Sequence, residues 1–311
     1  MPGAPRIGYV LSSGGARGVF AHTGFLLALK EIGVPIFAGA GCSAGAVAGG
    51  IFASGTDAGD WAEALSNVTR EQFWEPDPLW RIFWNMTAKR GRGYLGISDT
   101  SAAAEFCRQC IQAQTFEDCL YPFYTIAVSL ARSDKVVFSS GELVPRIIAS
   151  AAMPLLYKPV EIDGDLYSDG ALVDFAPTDA ICCKHSLDVV IVHHVSARSA
   201  TDTEGLAAAM NRNWAIVELL NNLIFRQRPW YLSDEPVTFQ RCPCGCGAVI
   251  LALEPQLERL TWSQTDEGPA IIGTTQAQIH KLLKPYYSDL TTNPREKLPH
   301  PKPGTTRTYG Q

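Results

Sequence analysis

Apolar positions along this chain change period repeatedly, and the changes mark its elements. Ile7-Gly8-Tyr9-Val10-Leu11 is a short apolar run of the kind buried in a sheet. Ser12-Ser13-Gly14-Gly15-Ala16-Arg17-Gly18 breaks the run as a loop. From Val19 to Ile32 apolar residues recur at helical spacing and stop at Gly33, a helix-ending signal. Val34–Ala38 predicts a second buried strand, and the small residues of Ala44–Phe52 predict a tightly packed helix. Strand, loop, helix and strand make a βαβ unit, whose right-handed crossover leaves both strands parallel, with their carboxyl ends on one edge of the sheet.

The alternation continues downstream. The pattern predicts a helix over Ser98–Gln112, and a strand pair Tyr124–Leu130 and Lys135–Ser139 turning at Ser133-Asp134. It then predicts a helix near Val144–Ala152, an extended stretch Lys158–Ile162 and a helix near Thr178–His185. Asp188–Val192 is a near-continuous apolar run, as in a buried parallel sheet. Leu206–Phe225 reads as helical, Ala248–Leu253 as a last strand and Ala270–Leu283 as a closing helix. Together these define an α/β fold with a central, mostly parallel sheet and helices on both faces. From Thr291 onward Pro294, Pro299, Pro301 and Pro303 stand among polar residues, which predicts disorder. The expected organisation is therefore one domain over residues 1–290 and a Pro-rich tail over 291–311, with no internal repeat.

Composition narrows the partners. Of 311 residues 46% are hydrophobic, ample for a large core, and a net charge of −5 argues against nucleic acid. Met1–Arg6 runs into a strand without the apolar stretch of a signal peptide. Ile32–Thr56 is uncharged, but it is rich in Gly, Ala and Ser and broken by Pro35, so it predicts a buried strand and helix rather than a membrane span. Nine cysteines, two of them adjacent at Cys182-Cys183, make a poor disulfide framework and point to a reducing cytoplasm.

The chemistry concentrates in two glycine-rich turns and one acidic loop. Gly41-Cys42-Ser43-Ala44-Gly45 has the G-x-S-x-G form between a strand and a helix, the context of a nucleophile elbow. The helix that follows directs its free N–H groups and positive end at Ser43. The parallel topology brings the backbone N–H groups of Gly14 and Gly15 to the same sheet edge, where an oxyanion hole is needed. A serine also needs a base. Tyr167-Ser168-Asp169-Gly170-Ala171 supplies a carboxylate whose burial in an apolar cleft would raise its pKa, so a Ser–Asp pair can work without histidine.

Ser12–Gly18 with Ala21-His22-Thr23-Gly24, then Gly41–Gly45, Ala149-Ser150-Ala151-Ala152-Met153-Pro154 and Asp169–Pro177, resemble the patatin-like phospholipase family. The bacterial branch related to the neuropathy target esterase catalytic domain is the most similar, and the likeness runs from about Arg6 to Leu283. It implies a patatin-like three-layer sandwich and a serine hydrolase cleaving acyl esters of phospholipids or lysophospholipids, with no cofactor. It also implies Ser43 as nucleophile, Asp169 as base within the Gly170-Ala171 motif, and Gly14, Gly15, Ala16, Arg17 and Gly18 as the oxyanion loop. Ser13 stands where the family's loop begins with Gly, Cys42 replaces a common Thr, and Asp174-Phe175 replaces an Asn pair. None of these removes a catalytic side chain. Acyl transfer from the same acyl-enzyme, or an idle lipid-binding role, are the alternatives.

Sharper readings compete at other positions. The order Ser43, Asp169, His193 or His194 fits a triad on paper, but Ser43 follows only two strands and the histidines continue an apolar strand, which favours a structural role. His22 is expected to cap or pack. A dinucleotide site would need G-x-G-x-x-G, and position 13 is Ser. Arg17 is expected to pin its loop through an ion pair rather than bind a lipid phosphate. Cys242-Pro243-Cys244-Gly245-Cys246 has spacing too tight for an ordinary zinc site and no evident fourth ligand, which favours a surface turn with free thiols. Trp74, Trp80, Phe83, Trp84, Lys89, Arg90 and Arg92 form either an interfacial patch touching a membrane surface or ordinary packing over the cleft. Oligomeric state has no signal.

Overall fold

The computed structural model describes residues 4–196, 229–258 and 267–299. β1 (Ile7–Leu11), α1 (Gly15–Ile32) and β2 (Ile36–Gly41) form the expected βαβ unit, with β1 and β2 paired in parallel. Helix α1 begins earlier than the apolar pattern indicates. Gly14 is its N-cap, so Gly15, Ala16, Arg17 and Gly18 are its first turn rather than a loop. After α2 (Ala44–Ala53) come α3 (Ala58–Ser66), α4 (Leu79–Thr87), β3 (Gly96–Ser98) and α5 (Ser101–Cys110). The expected hairpin is β4 (Phe123–Ser129) with β5 (Asp134–Phe138), followed by α6 (Leu143–Ser150). Then come β6 (Leu155–Tyr157), β7 (Val160–Ile162), β8 (Asp165–Asp169), β9 (Val189–His193), β10 (Val237–Arg241), β11 (Val249–Leu253) and α7 (Gly268–Leu283).

The main sheet has the order β10-β11-β9-β1-β2-β4-β8-β7, with β5 also on β4. Its centre, β11 through β4, is parallel, and the flanking strands β10, β5, β8 and β7 are antiparallel to their neighbours. Side chains alternate between the faces, as a strand requires. Ile7, Tyr9 and Leu11 join the core under α1, α2, α6 and α7, whereas Val10, Val190, Val192 and Ile250 pack under Ala176–Leu187 and Tyr231.

One registration matters most. The end of β2 pairs Gly41 with Thr125 of β4, and two residues further along β4 Ala127 pairs with Asp169 of the antiparallel β8. Both strands lie on the same edge of β4, opposite β5, and run toward each other. At about 3.3 Å per residue their carboxyl ends therefore meet across about 7 Å. The turn after β2 and the turn after β8 are forced into contact.

Three expectations change. Thr178–His185 is a 3-10 turn, Thr178–Ala180, followed by further turns. Ala180, Ile181 and Cys182 are all buried in the core on the second face of the sheet. Strand β10 escaped the apolar pattern because its inward positions are the polar Thr238 and Gln240. The tail does not begin at Thr291. Tyr287–Thr292 and Pro294–Lys297 are helical, and Leu298 is buried in the main core, so the packed body extends at least that far. Pro294 opens its helix at a position where the missing N–H has no partner to lose. The expected helix Leu206–Phe225 lies outside the described residues, as do residues 300–311. No described helix is long and apolar enough to cross a membrane.

Candidate active site

Ser43 occupies the turn between β2 and α2, and packing dictates the glycines beside it. A Cβ on Gly41 would sit 2.2 Å from the Gly45 carbonyl oxygen, and one on Gly45 would sit 2.3 Å from that of Leu11. Only with both absent can the chain reverse this tightly against β1. Ser43 itself takes φ 54° and ψ −118°, a region that side chains rarely adopt. Its N–H donates to Ser150 Oγ at 3.0 Å, and the Cys42 N–H donates to the Leu11 carbonyl at 3.1 Å. Ser150, at the end of α6, thus braces the strained turn. It stood in the Ala149–Pro154 run, but nothing in the residue pattern marked it as a support for Ser43.

Asp169 ends β8 directly opposite. The Ser43 hydroxyl donates to Asp169 Oδ2 at 2.8 Å, and the Ala171 N–H donates to Oδ1 at 2.8 Å. Gly170 must be glycine, because a Cβ there would lie 2.5 Å from the Ile126 carbonyl oxygen. Asp169 is fully buried, and Ser43 is 5% exposed. Burial pushes the Asp169 carboxyl up to about 7, against the opposing pull of the bonds from Ala171 and Ser43. A carboxylate of that basicity, hydrogen-bonded to a hydroxyl, can accept its proton near neutral pH.

The glycine loop closes the third side. Ser13 donates its N–H to the Phe175 carbonyl at 2.8 Å, linking this loop to the one that follows Asp169. The positive φ of the loop falls on Gly15, at 60°, so Ser13 displaces no glycine that the backbone needs. Within α1 the first backbone bond is from Gly18 N–H to the Gly14 carbonyl, which leaves the preceding N–H groups without helical acceptors. A Cβ on Gly18 would lie 2.8 Å from Ala44 Cβ, so the first turns of α1 and α2 abut. Two positive helix ends therefore converge beside Ser43. Asp174 anchors the adjoining loop, accepting from Lys135 Nζ at 2.6 Å through its side chain and from Cys42 Sγ at 3.2 Å through its carbonyl. Arg17 is pinned differently from expectation. Its buried guanidinium donates to the Ser196 and Glu258 carbonyls and, among the described residues, to no carboxylate.

The histidines form a separate pair. His22 Nε2 lies 2.7 Å from the Ser12 carbonyl and must donate to it, so neutral His22 accepts through Nδ1 from His193 Nδ1 at 2.8 Å. The His193 ring stacks on Phe25 at 4.6 Å, its Nε2 buried without a partner. Burial lowers the pKa of His22 to about 3 and that of His193 as well, so both stay neutral. Ser43 and Asp169 bond to each other rather than to a ring, and the triad arrangement is not assembled.

The aromatic stretch divides. Trp74 is buried, whereas Trp80, Phe83 and Trp84 of α4 are 66%, 69% and 58% exposed, and no residue of α4 is buried. Asp77 ties the segment down, accepting from Arg81, Tyr94 and Lys158.

An elbow serine facing a buried aspartate, on a mostly parallel sheet, defines a class of α/β protein. The match to the patatin-like phospholipase family model spans residues 9–181, and the chain belongs to that family. It is 33% identical over 176 residues to an uncharacterized NTE family protein of Mycobacterium tuberculosis, a match covering 56% of this chain and 45% of the other. It is 32% identical over 190 residues to lysophospholipase NTE1 of Cryptococcus neoformans, covering 60% of this chain and 11% of the other. The chain thus spans less than half the length of these relatives. Human GIVD cytosolic phospholipase A2 shares the fold, with a TM-score of 0.52 at 10% identity over 92% of this chain and 62% of the other.

Proposed function

We propose that this protein hydrolyses fatty acyl esters of phospholipids or lysophospholipids through an acyl-Ser43 intermediate. The observation that carries the reading is the 2.8 Å hydrogen bond from the Ser43 hydroxyl to a fully buried Asp169. Asp169 takes the serine proton as Ser43 Oγ attacks the ester carbonyl. N–H groups at the start of α1, at the N-cap Gly14, at Gly15 and at their neighbours, receive the oxyanion together with the positive end of α2. Protonated Asp169 returns its proton to the leaving alcohol, then activates the water that releases the fatty acid. The lysophospholipase named among the relatives supports a lysophospholipid as first substrate. The exposed Trp80, Phe83 and Trp84 suit contact with a lipid surface at headgroup depth, and nine unpaired cysteines suit a reducing compartment.

The test is a lipid panel read by mass spectrometry on wild type and Ser43→Ala. The expected result is fatty acid release by wild type only, with fluorophosphonate labelling lost in the variant. Retained turnover of a short-chain p-nitrophenyl ester by Ser43→Ala would overturn the reading.

A further inference from the structure

Five cysteines that the sequence holds in two distant groups meet on the second face of the sheet. Cys182 and Cys183 follow the 3-10 turn below the Asp169 loop, and Cys242, Cys244 and Cys246 lie in the β10–β11 turn. Their five sulfurs all lie within 4.8 Å of one another. Cys182 Sγ is 3.2 Å from Cys183 Sγ and 3.3 Å from Cys242 Sγ, and Cys242 Sγ is 2.9 Å from Cys244 Sγ. All five are free thiols. A candidate fourth sulfur, which the sequence did not show, comes from residues about sixty positions upstream.

We propose that this cluster is a zinc site, a tetrahedral tetrathiolate independent of the hydrolase chemistry. Four sulfurs at about 2.3 Å from a central zinc stand about 3.8 Å apart, inside the range that these sulfurs span. The donor set is sulfur alone, which suits a soft, tetrahedral ion and not magnesium or calcium. Alternate residues of an extended chain share a face. Gly245 and Gly247, at φ 77° and 79°, curl that face so that Cys242, Cys244 and Cys246 converge. The loop is held closed by Cys242 N–H donating to the Ala248 carbonyl at 3.0 Å and Gly245 N–H to the Cys242 carbonyl at 3.1 Å.

Cys182 and Cys242 sit in an apolar shell with Ala180, Ile181 and Leu187, while Cys183 and Cys244 are exposed, which gives the ion a dry inner side and an entry path. Binding displaces four thiol protons and leaves a net charge of −2 on the complex. Two guanidiniums border it, Arg241 donating to the Gly247 carbonyl and Arg295 to that of Cys246. The buried Cys182 and Cys242 are the inner ligands, and the two outer places are filled from Cys183, Cys244 and Cys246. The ion would tie the β10–β11 turn to the segment leading away from Asp169.

The test is metal analysis of the purified, dialysed chain by plasma mass spectrometry, with cobalt substitution as a second readout. The expected result is about one zinc per chain and, with cobalt, the thiolate charge-transfer intensity of four sulfurs. Cys183→Ser combined with Cys244→Ser, both exposed positions, leaves three cluster thiols, so the double variant should keep its fold by circular dichroism yet lose bound zinc, whereas Cys119→Ser, outside the cluster, should retain it. Cys183→Ser and Cys246→Ser should each retain zinc singly and lose it together. A folded chain that holds no zinc as purified and takes up none from added zinc, its cluster thiols reactive or joined as disulfides, would overturn the proposal. Full zinc retention by the Cys183→Ser, Cys244→Ser double variant would do the same.

Discussion

Replacing Asp169 by asparagine removes a charge while keeping the shape, and its effects on activity and stability should have opposite signs. The amide oxygen can still accept from Ala171 N–H, so the loop is preserved. In the folded wild type burial raises the carboxyl from its ordinary 3.8 to about 7. At about 1.4 kcal/mol per pH unit, ionising Asp169 inside the fold costs about 4 kcal/mol relative to the unfolded chain. Between pH 3.8 and 7 the folded state holds the proton more tightly, so wild-type stability falls as pH rises and the full deficit is present above 7. Asparagine carries no such deficit. For 311 residues the unfolding entropy is about 0.65 kcal/mol per degree, so the variant should melt about 6 °C higher than wild type at pH 8. The gap should close as pH falls toward 4. Hydrolysis should fall by about 10²–10⁴-fold in the variant, while the wild-type rate should rise with pH through about 7 as the base ionises. Calorimetry at several pH values beside a p-nitrophenyl ester assay reads both. A variant less stable than wild type at pH 8, or a gap independent of pH, would refute the desolvated-base argument.

Other expectations follow from the same geometry. Gly45→Ala drives a Cβ into the Leu11 carbonyl at 2.3 Å, so chemical denaturation should show a loss of about 1–3 kcal/mol. A displaced Ser43 should also lower the esterase rate by about 10²-fold; unchanged activity would mean that the elbow tolerates the shift. Trp80→Ala with Trp84→Ala should leave stability within about 0.5 kcal/mol, since both rings are exposed. The same double variant should weaken liposome co-sedimentation while sparing a soluble ester; a large drop in melting temperature would show that α4 is packed instead.

The order of elements and the local chemistry were legible along the chain. The apolar pattern placed β1, α1, α7 and the β4–β5 hairpin, because β1 and most of β4 are buried as continuous runs and α7 buries residues at helical spacing. The G-x-S-x-G turn and the Asp169-Gly170-Ala171 motif were readable because glycine is demanded where backbones nearly touch, a local requirement that leaves a local mark. Tertiary structure decided the rest. That β8 runs antiparallel along β4 and meets the end of β2 head-on is a property of strand pairing, and it alone places Asp169 on Ser43. The same enclosure raises the aspartate's pKa, since desolvation depends on what surrounds a group and not on its neighbours in sequence. Packing also separated residues that the sequence had grouped, burying Trp74 while leaving Trp80 and Trp84 in solvent. It joined residues that the sequence had kept apart, closing His22 of α1 on His193 of β9 and Cys182 on Cys242 on the second face, because layers packed on a sheet bring distant segments into contact.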